Sequence, residues 1–177
     1  MSVLPILIAP DRRLKFRCKP VDAFNDSVQT KLADMLATMY DAPGIGLAAP
    51  QVGDDRRLIV IDVAREDDPP EPMKIVNPEI LWASSEKCII NEGCLSIPDV
   101  YYDVKRPERV RVKYLDEKGA AQEIEADGLL ARCLQHEIDH LDGVLFIDHI
   151  SLLKRNMALS KMKKLKAGEA RNLPVKG

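Results

Sequence analysis

The segment Gln135-His136-Glu137-Ile138-Asp139-His140 constrains this chain more than any other. Read as a helix, it sets His136 and His140 one turn apart on one face. Two imidazoles placed in this way reach a single metal ion. Glu137, one residue on, points to a neighbouring face, where it can take a proton from water without being a ligand. The helix has its own support: Asp127 suits the N-cap of a helix from Gly128 to about Leu141, and Gly143 ends it. Two of the three histidines in the chain are used here. The third, His149, stands alone after an apolar stretch and reads as structural or surface. The fold must therefore bring this helix to a third ligand from elsewhere and keep one position open for water. Asp, Glu, His and Cys are all candidates. Glu92-Gly93-Cys94-Leu95-Ser96 offers a cysteine beside a glycine, although a lone cysteine equally suits buried packing. Cys133 and Leu129 lie three and seven residues before His136 and share its face. They would border the ion with small and apolar groups suited to an unbranched apolar side chain, or simply pack in the core. Arg132, on roughly the same face, does not fit a purely apolar pocket.

Around this helix the sequence predicts an α+β fold: mostly antiparallel short sheets packed around the metal-binding helix, with a C-terminal helix. Residues 27–41 show helical spacing at Val28, Leu32, Met35, Leu36 and Met39, with Asp26 or Ser27 as N-cap and Pro43-Gly44 as the stop. GIGLAAPQVG has no clear period and reads as a packed loop or irregular extended segment. Residues 58–63 read as a buried strand, with further strands near 73–76 and 86–95. Residues 109–115 alternate as a half-buried strand and return through DEKG into AQEIEAD as a hairpin. A last helix spans 151–166, with Leu152, Leu153, Met157, Leu159, Met162 and Leu165 as its apolar positions.

A length of 177 residues, 46% hydrophobic and 31% charged, suits one globular domain with a real core. No apolar run approaches the ~20 residues of a membrane span. The opening MSVLPILIAPDRR lacks a basic start, and Pro5 and Pro10 interrupt it, so no signal peptide is expected and the cytoplasm is the expected location. Cys18, Cys88, Cys94 and Cys133 show no paired spacing and read as free thiols or ligands.

Three segments in order resemble the signature motifs of the peptide deformylase family: Gly44-Ile45-Gly46-Leu47-Ala48-Ala49-Pro50-Gln51, Glu92-Gly93-Cys94-Leu95-Ser96 and Gln135–His140. The resemblance covers nearly the whole chain. It implies that Cys94, His136 and His140 are the ligands of one divalent metal, typically ferrous iron, with zinc, nickel or cobalt able to substitute. It implies removal of the formyl group from the N-terminal formylmethionine of nascent polypeptides, releasing formate. Glu137 would move the proton. The Gln51 amide and the backbone N–H of Leu95 would stabilise the oxyanion. Gly46, beside Ile45, would let the loop approach the peptide, which pairs as an added strand, with Leu129 and Cys133 completing the substrate pocket. Glu92, Ser96 and Asp139 orient ligands or serve structure.

Two other readings are weaker. A His-Glu-x-x-His peptidase usually draws its third ligand from a downstream helix, and it leaves Gln51 and the GIGLAAPQ segment without a role. A binding protein without activity has no need of Glu137. The charge distribution bears on partners. Residues 151–177 hold eight basic residues against Glu169 alone, a surplus of seven, while residues 1–150 hold 18 basic and 27 acidic, a net of minus nine. The expectation is a catalytic domain over 1–150 and a basic helix and tail over 151–177 that docks on the ribosome, or else a solvated face. A monomer is expected.

Overall fold

In a computed structural model of the chain, residues 1–172 are described. Residues 173–177, with Lys176 of the basic segment, lie outside the described residues. The elements are α1 (Asp26–Asp41), β1 (Gly46–Ala48), β2 (Leu58–Ile61), β3 (Met73–Ala83), β4 (Lys87–Cys94), β5 (Ile97–Pro107), β6 (Val110–Leu115), β7 (Ala121–Ala126), α2 (Gly128–Leu141) and α3 (Leu152–Asn172). The fold is α+β, as the sequence predicts.

One five-stranded antiparallel sheet runs in the order β1-β2-β3-β6-β7, and β4 and β5 form a separate antiparallel hairpin. The continuous apolar run of β2 has a direct cause: the sheet is covered on both faces. Leu58 and Val60 pack with Val28, Leu32, Met35 and Met39 of α1. Ile59 and Ile61 pack with Leu134, Ile138 and Leu141 of α2. The helix that carries the metal-binding pattern is thus seated on the sheet by the face opposite its histidines. A third apolar cluster joins Ile97, Val100 and Val104 of β5 to Phe146, Ile147, Ala158 and Met162.

Several boundaries differ from expectation. The cap of α1 is Asn25, whose side chain accepts the Val28 N–H at 3.3 Å, in place of Asp26 or Ser27. Asp127 occupies the N-cap position of α2 with extended backbone, but its side chain makes no capping bond. The GIGLAAPQVG segment is more regular than expected: β1 is a true edge strand, followed by a 3-10 turn over Ala49–Val52. Strand β3 runs to Ala83, well past residue 76, through two irregularities in its pairing with β6. Strand β5 was not expected at all, because Pro98, Asp99, Asp103 and Pro107 interrupt its apolar alternation. The apolar residues of α3 are not one buried stripe. Ala158 and Met162 are buried, while Leu152 and Leu153 are 69% and 71% exposed.

Candidate metal centre and substrate cavity

The end of β4 and the middle of α2 meet at the candidate centre. Cys94 Sγ and one ring nitrogen each of His136 and His140 lie within 4.8 Å of one another, with Cys94 Sγ 3.3 Å from His140 Nε2. The two imidazoles stand edge to face, centroids 5.0 Å apart. His136 also stacks against the buried Phe146 ring, at 6.1 Å and 26°. Its Nδ1 donates to Glu92 Oε2 at 3.1 Å, which turns Nε2 toward the other donors.

This donor set fits a metal ion. Burial holds the His140 imidazole well below its usual value, so its nitrogens stay neutral and can ligate. Among the described residues, His140 Nδ1 and Glu137 Oε2 are buried without a hydrogen-bond partner. Such groups are rare in folded interiors and mark places where chemistry, rather than packing, sets the residue. One thiol with two imidazoles suits several divalent ions.

Glu92 is fixed from a second side. Arg106 Nε donates to its Oε1 at 2.5 Å and Nη2 to its Oε2 at 3.0 Å, while Arg106 Nη1 reaches Asp139 Oδ2 at 2.8 Å. Burial works to raise the Glu92 carboxyl, but hydrogen bonds from His136 and Arg106 hold it down at about 2. The buried guanidinium therefore ties β4, β5 and α2 together behind the ligands. Asp139 also accepts from His149 Nε2 at 2.8 Å, so His149 braces this network and stands outside the ligand cluster.

Glu137 lies beside the centre, buried, and burial pushes its carboxyl up to about 7, against the opposing charges of His136 and Arg106. A base near neutrality is the form general acid–base chemistry needs. Its seat depends on Gly46: a Cβ there would lie 2.5 Å from Glu137 Oε1 and 2.8 Å from Cys133 Sγ. Gly46 thus makes room for the carboxylate, beyond its expected role toward a peptide. Gly44 serves the turn after α1, as expected, its N–H donating to Met39 O at 2.9 Å, and it also packs against Leu95, whose Cδ1 would lie 2.8 Å from an added Cβ. Gln51 is buried; its Oε1 accepts the Ala48 N–H at 2.9 Å, and its Nε2 donates to Ser96 Oγ at 3.1 Å and faces Cys94 Sγ at 3.6 Å. Ser96, left between two roles by the sequence, orients this amide. The first residues of the chain brace both segments, Leu7 N–H donating to Gln51 O and Ala9 N–H to Ser96 O.

These groups open into one cavity of about 500 Å³. Gly46, Gln51, Cys94, Leu95, His136 and Glu137 line it, as do Ile45, Leu129 and Cys133. Cys133 donates its thiol to Ile45 O at 3.6 Å, and burial keeps that thiol protonated by raising it well above its usual value. Of the residues expected to be catalytic, metal-ligating or substrate-binding, all but His140 reach the lining; His140 is buried beside Cys94 and His136, and Ser96, Asp139 and His149 also stand outside the lining. Arg106, Phe146 and Tyr101, which also lines the cavity, were not foreseen. A signal for Arg106 does exist: it is in phase with Val104 on the buried face of a strand, where an arginine requires an acidic partner.

An antiparallel frame holding a His-Glu-x-x-His helix against a cysteine defines a class, the metal-site hydrolases that act on amides. A family model described as polypeptide deformylase matches residues 3–156. The peptide deformylase of Mesorhizobium japonicum is 56% identical over 170 residues, covering 96% of this chain and 97% of that protein. That of Methylocella silvestris is 57% identical over 180 residues, covering 98% and 92%. A crystal structure of a peptide deformylase from Legionella pneumophila superposes with a TM-score of 0.89 at 50% identity, covering 97% of this chain and 99% of that one. The enzyme from Ehrlichia chaffeensis in complex with actinonin gives 0.89 at 43%, covering 93% and 98%. The chain belongs to the peptide deformylase family. It is a hydrolase that removes the formyl group from the N-terminus of newly made polypeptides.

Proposed function

We propose that Cys94, His136 and His140 hold one ferrous ion, and that Glu137, Gln51 and Leu95 carry out the deformylation beside it. The observation that carries this reading is the meeting of three ligand atoms within 4.8 Å next to a buried carboxylate pushed up to about 7. When bound, the ion would supply Lewis acidity and an acidified water. Glu137 takes a proton on its carboxylate and returns it to the departing amine, which leaves as the free N-terminus while the formyl carbon leaves as formate. The Nε2–H of Gln51 and the backbone N–H of Leu95 donate to the carbonyl oxygen as it gains charge. The peptide lies along β1, whose outer edge is free because β1 ends the sheet. Its methionine side chain enters the cavity between Ile45, Leu129 and Cys133, with Gly46 at the backbone.

Formate release from a formylmethionyl peptide, with metal content measured anaerobically, tests the whole reading. Glu137→Ala should keep its metal and lose at least about 100-fold in kcat, the scale of general acid–base catalysis; near-wild-type turnover would remove Glu137 from this role. Iron with a thiolate ligand predicts loss of activity in air and protection by nickel or cobalt substitution.

The division into a catalytic body, residues 1–150, and a basic segment, residues 151–177, belongs to this reading, as do a monomeric state and a cytoplasmic location. No described helix is long and apolar enough to cross a membrane. The basic segment docks on ribosomal RNA or an anionic neighbour near the nascent chain. Lys163 and Lys164 are exposed, whereas Ala158 and Met162 are buried in the core, so truncation would confound docking with stability. Charge reversal at Lys163 and Lys164 should weaken salt-sensitive co-sedimentation with ribosomes and leave melting unchanged. Undiminished co-sedimentation would remove the docking role.

A further inference from the structure

Arg132 lines the cavity, and the deformylase chemistry gives it no task. It lies on α2 four residues before His136, on the same face and one turn nearer the helix N-terminus. Exposure grades along this helix, from His140 in the interior to Leu129, 44% exposed. Arg132 falls between them, half-buried, so it lines the cavity toward its mouth. Ile90, Leu129 and Cys133 line the same cavity. The methylene stem of Arg132 extends that apolar wall, and its guanidinium is carried toward solvent.

The charges nearby leave this guanidinium unanswered. Among the described residues, Arg132 is the only lysine or arginine on the cavity wall; the other ionisable side chains there include the carboxylates of Glu92, Glu137 and Asp99. Glu92 is engaged by Arg106 and His136. Arg106, the fully buried arginine, is saturated by Glu92 and Asp139. Arg132 takes part in none of the ion pairs among the described residues, in contrast to Arg56, Arg57, Arg106 and Arg155. A guanidinium offers five donors and no acceptor, and planar carboxylates match it best.

Resting on the deformylase reading above, we propose that Arg132 is a specificity-determining residue: it binds a carboxylate on the second or third residue of the formylated peptide, favouring acidic over basic sequences there. The spacing suits this. One helical turn separates Arg132 from His136 by roughly 6 Å along the axis. An extended peptide advances about 3.4 Å per residue, so one or two residues beyond methionine span the same distance.

The test uses metal-loaded enzyme and formyl-Met peptides amidated at the C-terminus, so that no terminal carboxylate intervenes. Glu, Gln or Lys is placed at the second or the third position. Formate release gives kcat/KM for the wild type, Arg132→Met, which keeps an unbranched stem, and Arg132→Glu. The wild type should prefer Glu over Lys by about two- to fivefold at low salt, the scale of a partly exposed ion pair. The ratio should fall to near one in Arg132→Met, invert in Arg132→Glu and shrink as salt is added. Because each ratio is taken within one variant, a general loss of activity does not disturb it. A ratio unchanged in Arg132→Met, or absent in the wild type, overturns the proposal while leaving deformylation intact. Failure of the wild type to release formate from the Gln peptides would instead sink the deformylase reading, and this proposal with it.

Discussion

At Gly46 a single methyl group separates a working site from a displaced one. The carboxylate of Glu137 and the thiol of Cys133 occupy the space where a Cβ would stand. Both are buried on α2, which is itself held against the sheet by Leu134, Ile138 and Leu141. Gly46→Ala must therefore push the carboxylate aside or lift β1. Overpacking of this kind costs about 1–3 kcal/mol of stability. Misplacing a reacting group by an ångström costs on the order of 100-fold in rate. The expected result is a folded protein with a modestly lower Tm and a kcat reduced far more than KM is raised. A variant with normal kcat would show that Glu137 has room to spare. The candidate site residues, which the fold brings together, were legible in the sequence because the proposed chemistry asks for their types and, within a helix, their spacing. The seat of Glu137 was not, since nothing in a glycine's identity says which side chain fills its missing Cβ.

Between elements, the junctions are polar where the cores are apolar. Asp148, in the 3-10 turn Phe146–His149, accepts from Lys15 at 2.5 Å, from Arg155 of α3 at 2.8 Å and from the Leu145 N–H at 2.8 Å. Burial works to raise its carboxyl, but these donors outweigh burial and lower it from its usual 3.8. Because the folded value is depressed, the stabilisation is fully present above the unfolded value near 4. It fades as pH falls toward the lower folded value. Melting curves of the wild type and Asp148→Asn from about pH 3 to 7 should differ most near neutrality and converge at the acid end; a gap that widens in acid would contradict this. Such junctions explain what sequence reading caught and missed at this scale. Helices α1 and α2 and the β6–β7 hairpin announced themselves by period, since each buries a regular face, and β2 by its unbroken apolar run. Strand β5 did not, because its partner contacts alternate between valines and a charged Arg106 that only makes sense once Glu92 is beside it. The extension of α3 beyond residue 166 was hidden for the opposite reason: Ala167, Gly168 and Glu169 are exposed, so no stripe marks it.

For the whole molecule, the proposed ligands come from two parts of the architecture that the sheet does not join. Cys94 ends the separate β4–β5 hairpin, whereas His136 and His140 ride on the helix packed against the five-stranded sheet. An ion held by all three closes a long loop of chain, much as a cross-link does. Its binding free energy then adds to folding by mass action, about 2.7 kcal/mol when free metal stands at 100 times its Kd. Stripping the metal with a chelator should lower Tm and remove activity along the same titration, and returning the ion should restore both. An unchanged Tm in the metal-free protein would mean that Arg106 and the apolar clusters already fasten the hairpin to the helix. An ion held there would thus also be a rivet, and a shortage of it would be felt as fragility as well as lost turnover.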